Sequence, residues 1–243
     1  MYKCNTNIIK PIDSSEEANW LAETFSALEE PTDIRIQRPV RSVNGNWIEN
    51  GYVSWTFVEG KNQQGRYAEK VAACEAYNRL VSTIPEPTFI SQRTDPWATA
   101  DKRVWGELPI EYEPEEMEIV ENVLEKIENV HIPYQIIHGD FNGNILFSDT
   151  LQPAIIDYSP YWRPADFAKA IIYIDAVVWD KEANLGELKK LFAPTDQLYQ
   201  LTIRATLRRM FEQFEHIRMR NMDPEERLAE ARAYSEGFNK IFF

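Results

Sequence analysis

The chain has 243 residues, 44% of them hydrophobic and 12% aromatic, which is enough for one large domain or two lobes with a packed core. Its formal net charge of −13 argues against a general binder of nucleic acid or of anionic membranes. The two cysteines, Cys4 and Cys74, cannot build a disulfide framework. We find neither a membrane-spanning apolar run nor a signal peptide, so we expect a cytoplasmic protein without a membrane or nucleic-acid partner.

The N-terminal stretch predicts a strand followed by a helix. Residues 1–11 form a single predicted strand, and Lys10 stands near its end. The helix begins after Asp13 or Ser14, because either side chain can cap it and a glutamate follows three residues later. Apolar residues then recur at helical spacing up to Leu28.

The middle of the chain changes from strands to helices. A strand over 35–40, an Asn-Gly turn signal and an alternating strand over 52–58 predict a β-hairpin. A helix is predicted over 64–83 and another over 113–130, whose acidic face we expect to be solvated. Between them, 93–105 could line an acceptor site, but a loop that packs its two tryptophans is the preferred interpretation.

Polar side chains follow three short apolar strands between residues 135 and 163. The first strand leads into Asp140, the next begins after Asn144, and the third delivers Asp157. An Asp can orient a hydroxyl and accept its proton, while an Asn and a second Asp can hold Mg²⁺ against phosphates. The spacing therefore suits phosphoryl transfer. Either loop alone would be better explained as an ordinary strand-end turn.

The remainder of the chain is predicted to be helical. A helix is predicted to begin at Asp166, and the preferred role of this residue is that of the helix cap. Asp175 lies inside that helix among apolar residues, so it needs a partner such as Arg204 or the backbone of the loop around Asp140. Further helices are predicted over 185–192, 197–219 and 224–243. Surface salt bridges are the expected role of the arginines in the long helix, namely Arg204, Arg208, Arg209, Arg218 and Arg220.

The motif HGDFNGN, followed by IIDY, resembles the paired loops of the aminoglycoside phosphotransferase and choline kinase superfamily. The usual pattern has four residues between the Asp and the Asn, whereas this chain has three, Phe141, Asn142 and Gly143. Together with YSPYWRP over 158–164, this shorter turn is similar to a smaller group of bacterial members with no assigned substrate.

The resemblance implies an α+β, protein-kinase-like fold with two lobes. A truncated N-terminal sheet lobe would cover 1–60, and a mainly helical C-terminal lobe 61–243. By the same resemblance Asp140 is the catalytic base, and Asn144 and Asp157 are the metal ligands. His138 and Asp166 are expected to support the catalytic loop structurally.

The resemblance also implies the nucleotide contacts. Lys10 would pair with the ATP phosphates, and Glu17 would pair with Lys10, with Glu16 and Glu23 as alternatives. The hinge that meets the adenine through its backbone would be Phe57, Val58, Glu59 and Gly60. Kinase-like folds carry a Gly-rich phosphate cover before the lysine strand, but only nine residues precede Lys10. Either the protein lacks this cover or the chain is truncated.

The leading functional hypothesis is ATP- and Mg²⁺-dependent phosphorylation of a hydroxyl on an unidentified small molecule. A second hypothesis is a kinase-like binding or scaffold protein, because the missing phosphate cover predicts weak nucleotide binding and slow transfer. A third and weaker hypothesis is a metal-dependent hydrolase that uses Asp140 and Asp157. The sequence identifies neither the acceptor nor the oligomeric state.

Overall fold

The computed structural model describes residues 2–4, 6–193, 195–220 and 222–242. The chain forms two compact units, the first from Met1–Phe89 with Gln135–Trp162 and the second from Ile90–Tyr134 with Arg163–Phe243. The motif around Asp140 therefore belongs to the same unit as the N-terminal strands. These units divide the chain at other positions than the predicted lobes, 1–60 and 61–243, which remain a prediction.

The first unit contains a sheet of five short strands in which β2 and β6 are central. Its strands are β1 (Tyr2–Cys4), β2 (Asn7–Pro11), β4 (Pro39–Val40), β5 (Ile48–Glu49) and β6 (Tyr52–Thr56), in the order β1-β2-β6-β4 with β5 also on β6. All these pairings are antiparallel. The single strand predicted over residues 1–11 is wrong, because the chain reverses between Cys4 and Asn7, which face each other across the β1–β2 ladder.

A second, three-stranded sheet carries the motif. It consists of β3 (Arg35–Ile36), β9 (Ala154–Ile155) and β8 (Ile145–Leu146), with β9 in the centre. Strands β7 (Tyr134–His138) and β10 (Pro160–Pro164) form a separate pair. The strand predicted over 35–40 is split, because its first residues pair with β9 and its last residues pair with β6.

Two helices of the first unit cover this β-structure. Helix α1 (Ser15–Ala27) begins where predicted, with Ser14 Oγ accepting the Glu17 N–H at 3.3 Å. Helix α2 (Tyr67–Val81) lies within the predicted range 64–83. Both helices contribute to an aromatic core in which Phe25 stacks on Tyr158, with ring centroids 3.7 Å apart. Tyr77 of α2 packs against the same two rings.

The rest of the chain is helical. Its helices are α3 (Phe89–Gln92), α4 (Pro96–Val104), α5 (Pro114–Leu124), α6 (Ala165–Trp179), α7 (Leu185–Leu191), α8 (Asp196–Arg220) and α9 (Pro224–Phe242). The loop predicted over 93–105 is wrong for most of its length, because Asp95 caps α4 by accepting the Ala98 N–H at 3.0 Å. Among the residues that the structure describes, no helix is long and apolar enough to cross a membrane.

Of the predictions for the acidic residues of α6, the cap at Asp166 is wrong, whereas Asp175 does have an arginine partner, although a different one from the example given. Pro164, not Asp166, occupies the cap position; Asp166 lies within the first turn and pairs with Lys169 at 2.9 Å. Asp175 pairs with Arg209 rather than Arg204, at 2.6 Å, and also accepts a hydrogen bond from a tyrosine of α9.

The surface salt bridges predicted for the α8 arginines are also wrong in part. Arg208 has only 2% of its side chain exposed and lies 3.1 Å from Glu212 and 3.8 Å from Asp101. Arg204 is buried as well. Both arginines belong to the interior of the second unit. Carboxylates lie beside Arg208, whereas Arg204 donates to the Gln200 side chain at 3.1 Å and to the Glu128 carbonyl at 2.5 Å.

Candidate active site

His138 connects the two loops of the motif. Its side chain is fully buried at the end of β7. The ring nitrogen Nδ1 accepts the Asp140 N–H at 3.1 Å. Because Nδ1 accepts, the ring hydrogen lies on Nε2, which donates to the Ile156 carbonyl at 3.1 Å. Burial lowers the pKa of His138 and so favours the neutral ring, in which Nδ1 can accept the hydrogen bond from Asp140. The imidazole thus links the backbone at Asp140 to the residue before Asp157.

Asn144 holds the carboxylate of Asp140. Its amide nitrogen Nδ2 donates to the Asp140 carbonyl at 2.8 Å and to Asp140 Oδ2 at 3.1 Å. Its backbone N–H closes the short turn on the Phe141 carbonyl at 3.1 Å. Because the amide nitrogen is directed at Asp140, the amide oxygen Oδ1 is the atom that remains to coordinate a cation.

Gly139 allows β10 to pack against this loop. Its N–H donates to the Ser159 carbonyl at 2.8 Å. A Cβ atom at this position would lie 2.2 Å from the Tyr161 ring, which is itself buried. The loop and the aromatic segment after Asp157 therefore fit together only with glycine here.

Asp157 meets Lys10 across 147 positions of sequence. The Lys10 Nζ atom lies 2.8 Å from Asp157 Oδ1, with 16% of the lysine and 52% of the aspartate side chain exposed. Asp157 has a φ of +53°, a left-handed conformation that is uncommon outside glycine and is found often at functional sites. Its backbone N–H donates to the buried Gln37 side chain at 3.3 Å, which helps to hold this conformation.

The two proposed metal ligands lie on adjacent backbone segments. Ile145 faces Ile155 in the β8–β9 ladder, and the Ile156 N–H donates to the Asn144 carbonyl at 3.0 Å. Asn144 and Asp157 therefore stand at the same end of one hairpin. An amide oxygen and one carboxylate suit Mg²⁺, which usually keeps several waters and phosphate oxygens as its other ligands. The described residues contain no cluster of three or more His, Cys, Asp or Glu side chains that could enclose a metal ion.

The predicted hinge is tied to β8. Gly60 has a φ of +146°, and a Cβ atom there would lie 2.8 Å from the Cβ of Leu146. The next residue, Lys61, exchanges two backbone hydrogen bonds of 2.9 Å with Phe147. At the other end of the hinge, Phe57 donates its N–H to the Thr6 carbonyl at 2.7 Å.

Within the hinge, Val58 is half-buried and Glu59 is exposed. The Glu59 carbonyl accepts a hydrogen bond of 2.7 Å from Arg35 Nη2. Since Arg35 also donates to the Gln152 carbonyl at 2.8 Å, it connects the hinge to the loop between β8 and β9. The contact of this backbone with adenine remains a prediction.

The acidic residues predicted as supports occupy different places. Glu17 is half-buried in the first turn of α1, and its pairing with Lys10 remains a prediction. Glu16, the alternative partner, accepts a hydrogen bond from Thr88 at 2.8 Å. Asp166 belongs to the second unit, and its role as an anchor of the loop is likewise a prediction.

Sequence reasoning missed three residues that contact the motif. Gln37 binds the Asp157 backbone, Asn62 binds the carbonyls of the turn after Asp140, and Lys70 binds the Asn142 side chain at 2.9 Å. None belongs to a local motif. One clue was available for Lys70, which is a charged residue at a buried position of a helix with a broad apolar face.

Scans against protein-family models and curated proteins found no match. Solved structures do match, among them a spectinomycin phosphotransferase in complex with ADP and spectinomycin, at 13% identity and a TM-score of 0.57 over 96% of this chain and 85% of that chain. An amicoumacin kinase in complex with AMP-PNP and Ca²⁺ matches at 13% identity and a TM-score of 0.62 over 96% and 82% of the two chains. An aminoglycoside phosphotransferase from Alicyclobacillus acidocaldarius matches at 12% identity and a TM-score of 0.53 over 97% and 83%.

The chain has the protein-kinase-like fold of these phosphotransferases. The predicted fold class is therefore confirmed. At such low identities the likeness concerns the fold, and the function must be argued from the site itself.

Proposed function

We propose that the protein is an ATP- and Mg²⁺-dependent phosphotransferase that acts on a hydroxyl group of a small molecule. The observation that carries this proposal is that Lys10 contacts Asp157 and Asn144 contacts Asp140 within one unit, while the Ile156 N–H donates to the Asn144 carbonyl between the two pairs. These residue types suit phosphoryl transfer, and Lys10 comes from a distant part of the sequence. The matched kinases with ADP or AMP-PNP bound support a nucleotide as the donor.

In the proposed reaction Asp140 orients the acceptor hydroxyl and accepts its proton as the oxygen attacks the terminal phosphorus. Asn144 keeps the Asp140 carboxylate in place through its amide nitrogen. Asn144 Oδ1 and Asp157 would hold Mg²⁺, which neutralises charge on the phosphates when bound. Lys10 supplies a further positive charge for the phosphates, for which its ion pair with Asp157 must loosen.

A specific observation favours a second candidate, a kinase-like binding protein without efficient transfer. Strands β1 and β2 are joined by two residues, since Cys4 faces Asn7. This connection has no room for a glycine-rich loop whose N–H groups would surround phosphates and exclude water. The two candidates differ in turnover and share nucleotide binding, so a rate measurement separates them.

The test is phosphoryl transfer followed by ³¹P NMR, with ATP, Mg²⁺ and a panel of hydroxylated compounds that begins with spectinomycin and amicoumacin. We expect Asp140→Asn to lower the rate by about 10²- to 10⁴-fold, the usual contribution of a general base. The matched control is Asp149→Asn, since Asp149 is an exposed aspartate in the turn between β8 and β9. A folded Asp140→Asn variant with an undiminished rate would contradict the proposed function.

Two further outcomes of the same experiment identify the other candidates. ATP consumption that yields only inorganic phosphate with every acceptor would favour the hydrolase hypothesis. Nucleotide binding without any consumption of ATP would favour the binding protein.

A further inference from the structure

Two side chains outside the motif hold the turn after Asp140. Asn62 Nδ2 lies 3.0 Å from the Gly143 carbonyl and 3.4 Å from the Ile145 carbonyl. Lys70 Nζ donates to Asn142 Oδ1 at 2.9 Å. All of these residues belong to the first unit. The turn is thus fixed from two sides by residues that lie 72 to 83 positions earlier in the chain.

The position of Lys70 is unfavourable for stability. Only 3% of the residue is exposed, although a buried ammonium group is costly even when it is hydrogen-bonded. It also lies near the N-terminus of α2, which begins at Tyr67, and the helix dipole disfavours a positive charge there. The ammonium group also lies 5.2 Å from the centre of the Tyr67 ring, which offsets part of this cost. Because burial of the charge is costly, its contact with the turn points to a functional role.

The held turn lies directly against the carboxylate of Asp140. A Cβ atom on Gly143 would be 3.9 Å from Asp140 Oδ2, so the Gly143 backbone borders that oxygen. Asn144, which donates to the same oxygen, is the next residue. A shift of the Asn142–Gly143 peptide would therefore move both the surface under the carboxylate and the amide that orients it.

We propose that Asn62 and Lys70 are positioning residues that fix the turn 141–143 and thereby aim the Asp140 carboxylate. The proposal rests on the proposed role of Asp140 as the base. The turn has one residue fewer than the pattern that the motif resembles, and the side chains of Asn62 and Lys70 supply hydrogen bonds from outside it. Neither residue needs to touch the substrate for this role.

The first test is Lys70→Met, measured by the steady-state rate of phosphoryl transfer and by thermal unfolding. We expect kcat to fall by about 10- to 100-fold, as for a small misplacement of a catalytic group, with KM for the nucleotide within about twofold. The melting temperature should stay the same or rise, because a buried charge is replaced by an apolar side chain. A purely structural lysine would give the opposite pattern, a lower melting temperature with kcat unchanged, and that result would overturn the proposal.

The matched control is Lys126→Met. Lys126 also donates to an asparagine, to the carbonyl and the side-chain oxygen of Asn122 at 2.7 and 2.9 Å, but it belongs to the second unit. We expect its kcat to remain within about twofold of the wild-type value. An equal fall of kcat in both lysine variants would overturn the proposal, since the effect would then not depend on the turn.

The second test examines Asn62 and the route through Asn142. Asn62→Asp should lower kcat more than Asn62→Ala, because its carboxylate would face carbonyl oxygens where an N–H donor is now present. Lys70→Met and Asn142→Ala should be non-additive in a double-mutant cycle, since each removes the same hydrogen bond. Additive losses, or an Asn62→Asp variant with the wild-type kcat, would overturn the proposal.

Amide hydrogen exchange separates this proposal from the proposed function. If the wild-type protein transfers no phosphoryl group, the proposed function fails. The exchange rates of residues 140–146 still test whether Asn62 and Lys70 hold the turn. We expect faster exchange in Lys70→Met and Asn62→Asp than in the wild-type protein and in Lys126→Met. Unchanged exchange in both variants would overturn the proposal that Asn62 and Lys70 fix the turn 141–143.

Discussion

The glycine before the proposed base provides the sharpest structural prediction. In Gly139→Ala the new Cβ atom would lie 2.2 and 2.3 Å from two carbons of the Tyr161 ring. Since real Cβ atoms essentially never approach so closely, either the ring or the loop must move. Tyr161 is 3% exposed, so its ring has no free space to enter. We expect a loss of about 3 kcal/mol in the free energy of unfolding, the upper part of the usual range for overpacking.

Thermal and chemical unfolding measure this effect. For a chain of this size, about 3 kcal/mol corresponds to a fall of roughly 6–12 °C in the melting temperature. Gly143→Ala is the matched control from the same turn, because its Cβ would meet only Asp140 Oδ2 at 3.9 Å. Tyr161→Ala should reduce the additional loss caused by Gly139→Ala, since it removes the overlapping ring. Equal melting temperatures for Gly139→Ala and Gly143→Ala would refute the reasoning.

Three further predictions concern charged and titratable groups. Burial lowers the pKa of His138, so below the ordinary value of 6.5 the unfolded chain binds a proton that the folded chain does not. The free energy of unfolding should therefore decrease as the pH is lowered through that range, by up to about 1.4 kcal/mol per pH unit. In urea unfolding, His138→Gln should remove this part of the pH dependence. Lys10→Met should change the melting temperature little, because a partly exposed ion pair contributes about 0–1 kcal/mol. The rate of phosphoryl transfer should fall strongly, and an unchanged rate would contradict the proposed role of Lys10. Asp175→Asn should destabilise the second unit by about 1.5–3 kcal/mol, because it removes one of the two buried carboxylates that pair with Arg209 and leaves only Glu212, at 2.9 Å. Asp166→Asn on the same helix should lose less than about 1 kcal/mol. Similar losses in urea unfolding would contradict this account.

Local sequence signals predicted the elements that depend on local interactions. Helix α1 begins after Ser14 because the hydroxyl caps the helix, and this requires only neighbouring residues. The motif over 135–163 predicted short strands with polar residues at their ends, and β7, β8 and β9 confirm the strands. Helix α4 was predictable as well, since Asp95 followed by Pro96 is a helix-start signal that the aromatic content of the segment obscured.

Features that depend on tertiary contacts could not be predicted in this way. The segment 35–40 divides between two sheets, and its strand partners are distant in sequence. Arg208 is buried because Asp101 and Glu212 lie beside it, which the helical pattern of α8 does not reveal. The contacts of Asn62 and Lys70 with the turn after Asp140 have the same origin, since residues from α2 and the preceding loop meet the motif only in the folded chain.

Calorimetric titration of ATP, with and without Mg²⁺, tests the central claim most directly. The account predicts Mg²⁺-dependent binding to the wild-type protein that Asp157→Ala abolishes and that the exposed-site control Asp149→Ala retains. Absence of binding to the folded wild-type protein at millimolar nucleotide, or Mg²⁺-dependent binding that Asp157→Ala leaves unchanged, would contradict the nucleotide site proposed around Lys10 and Asp157.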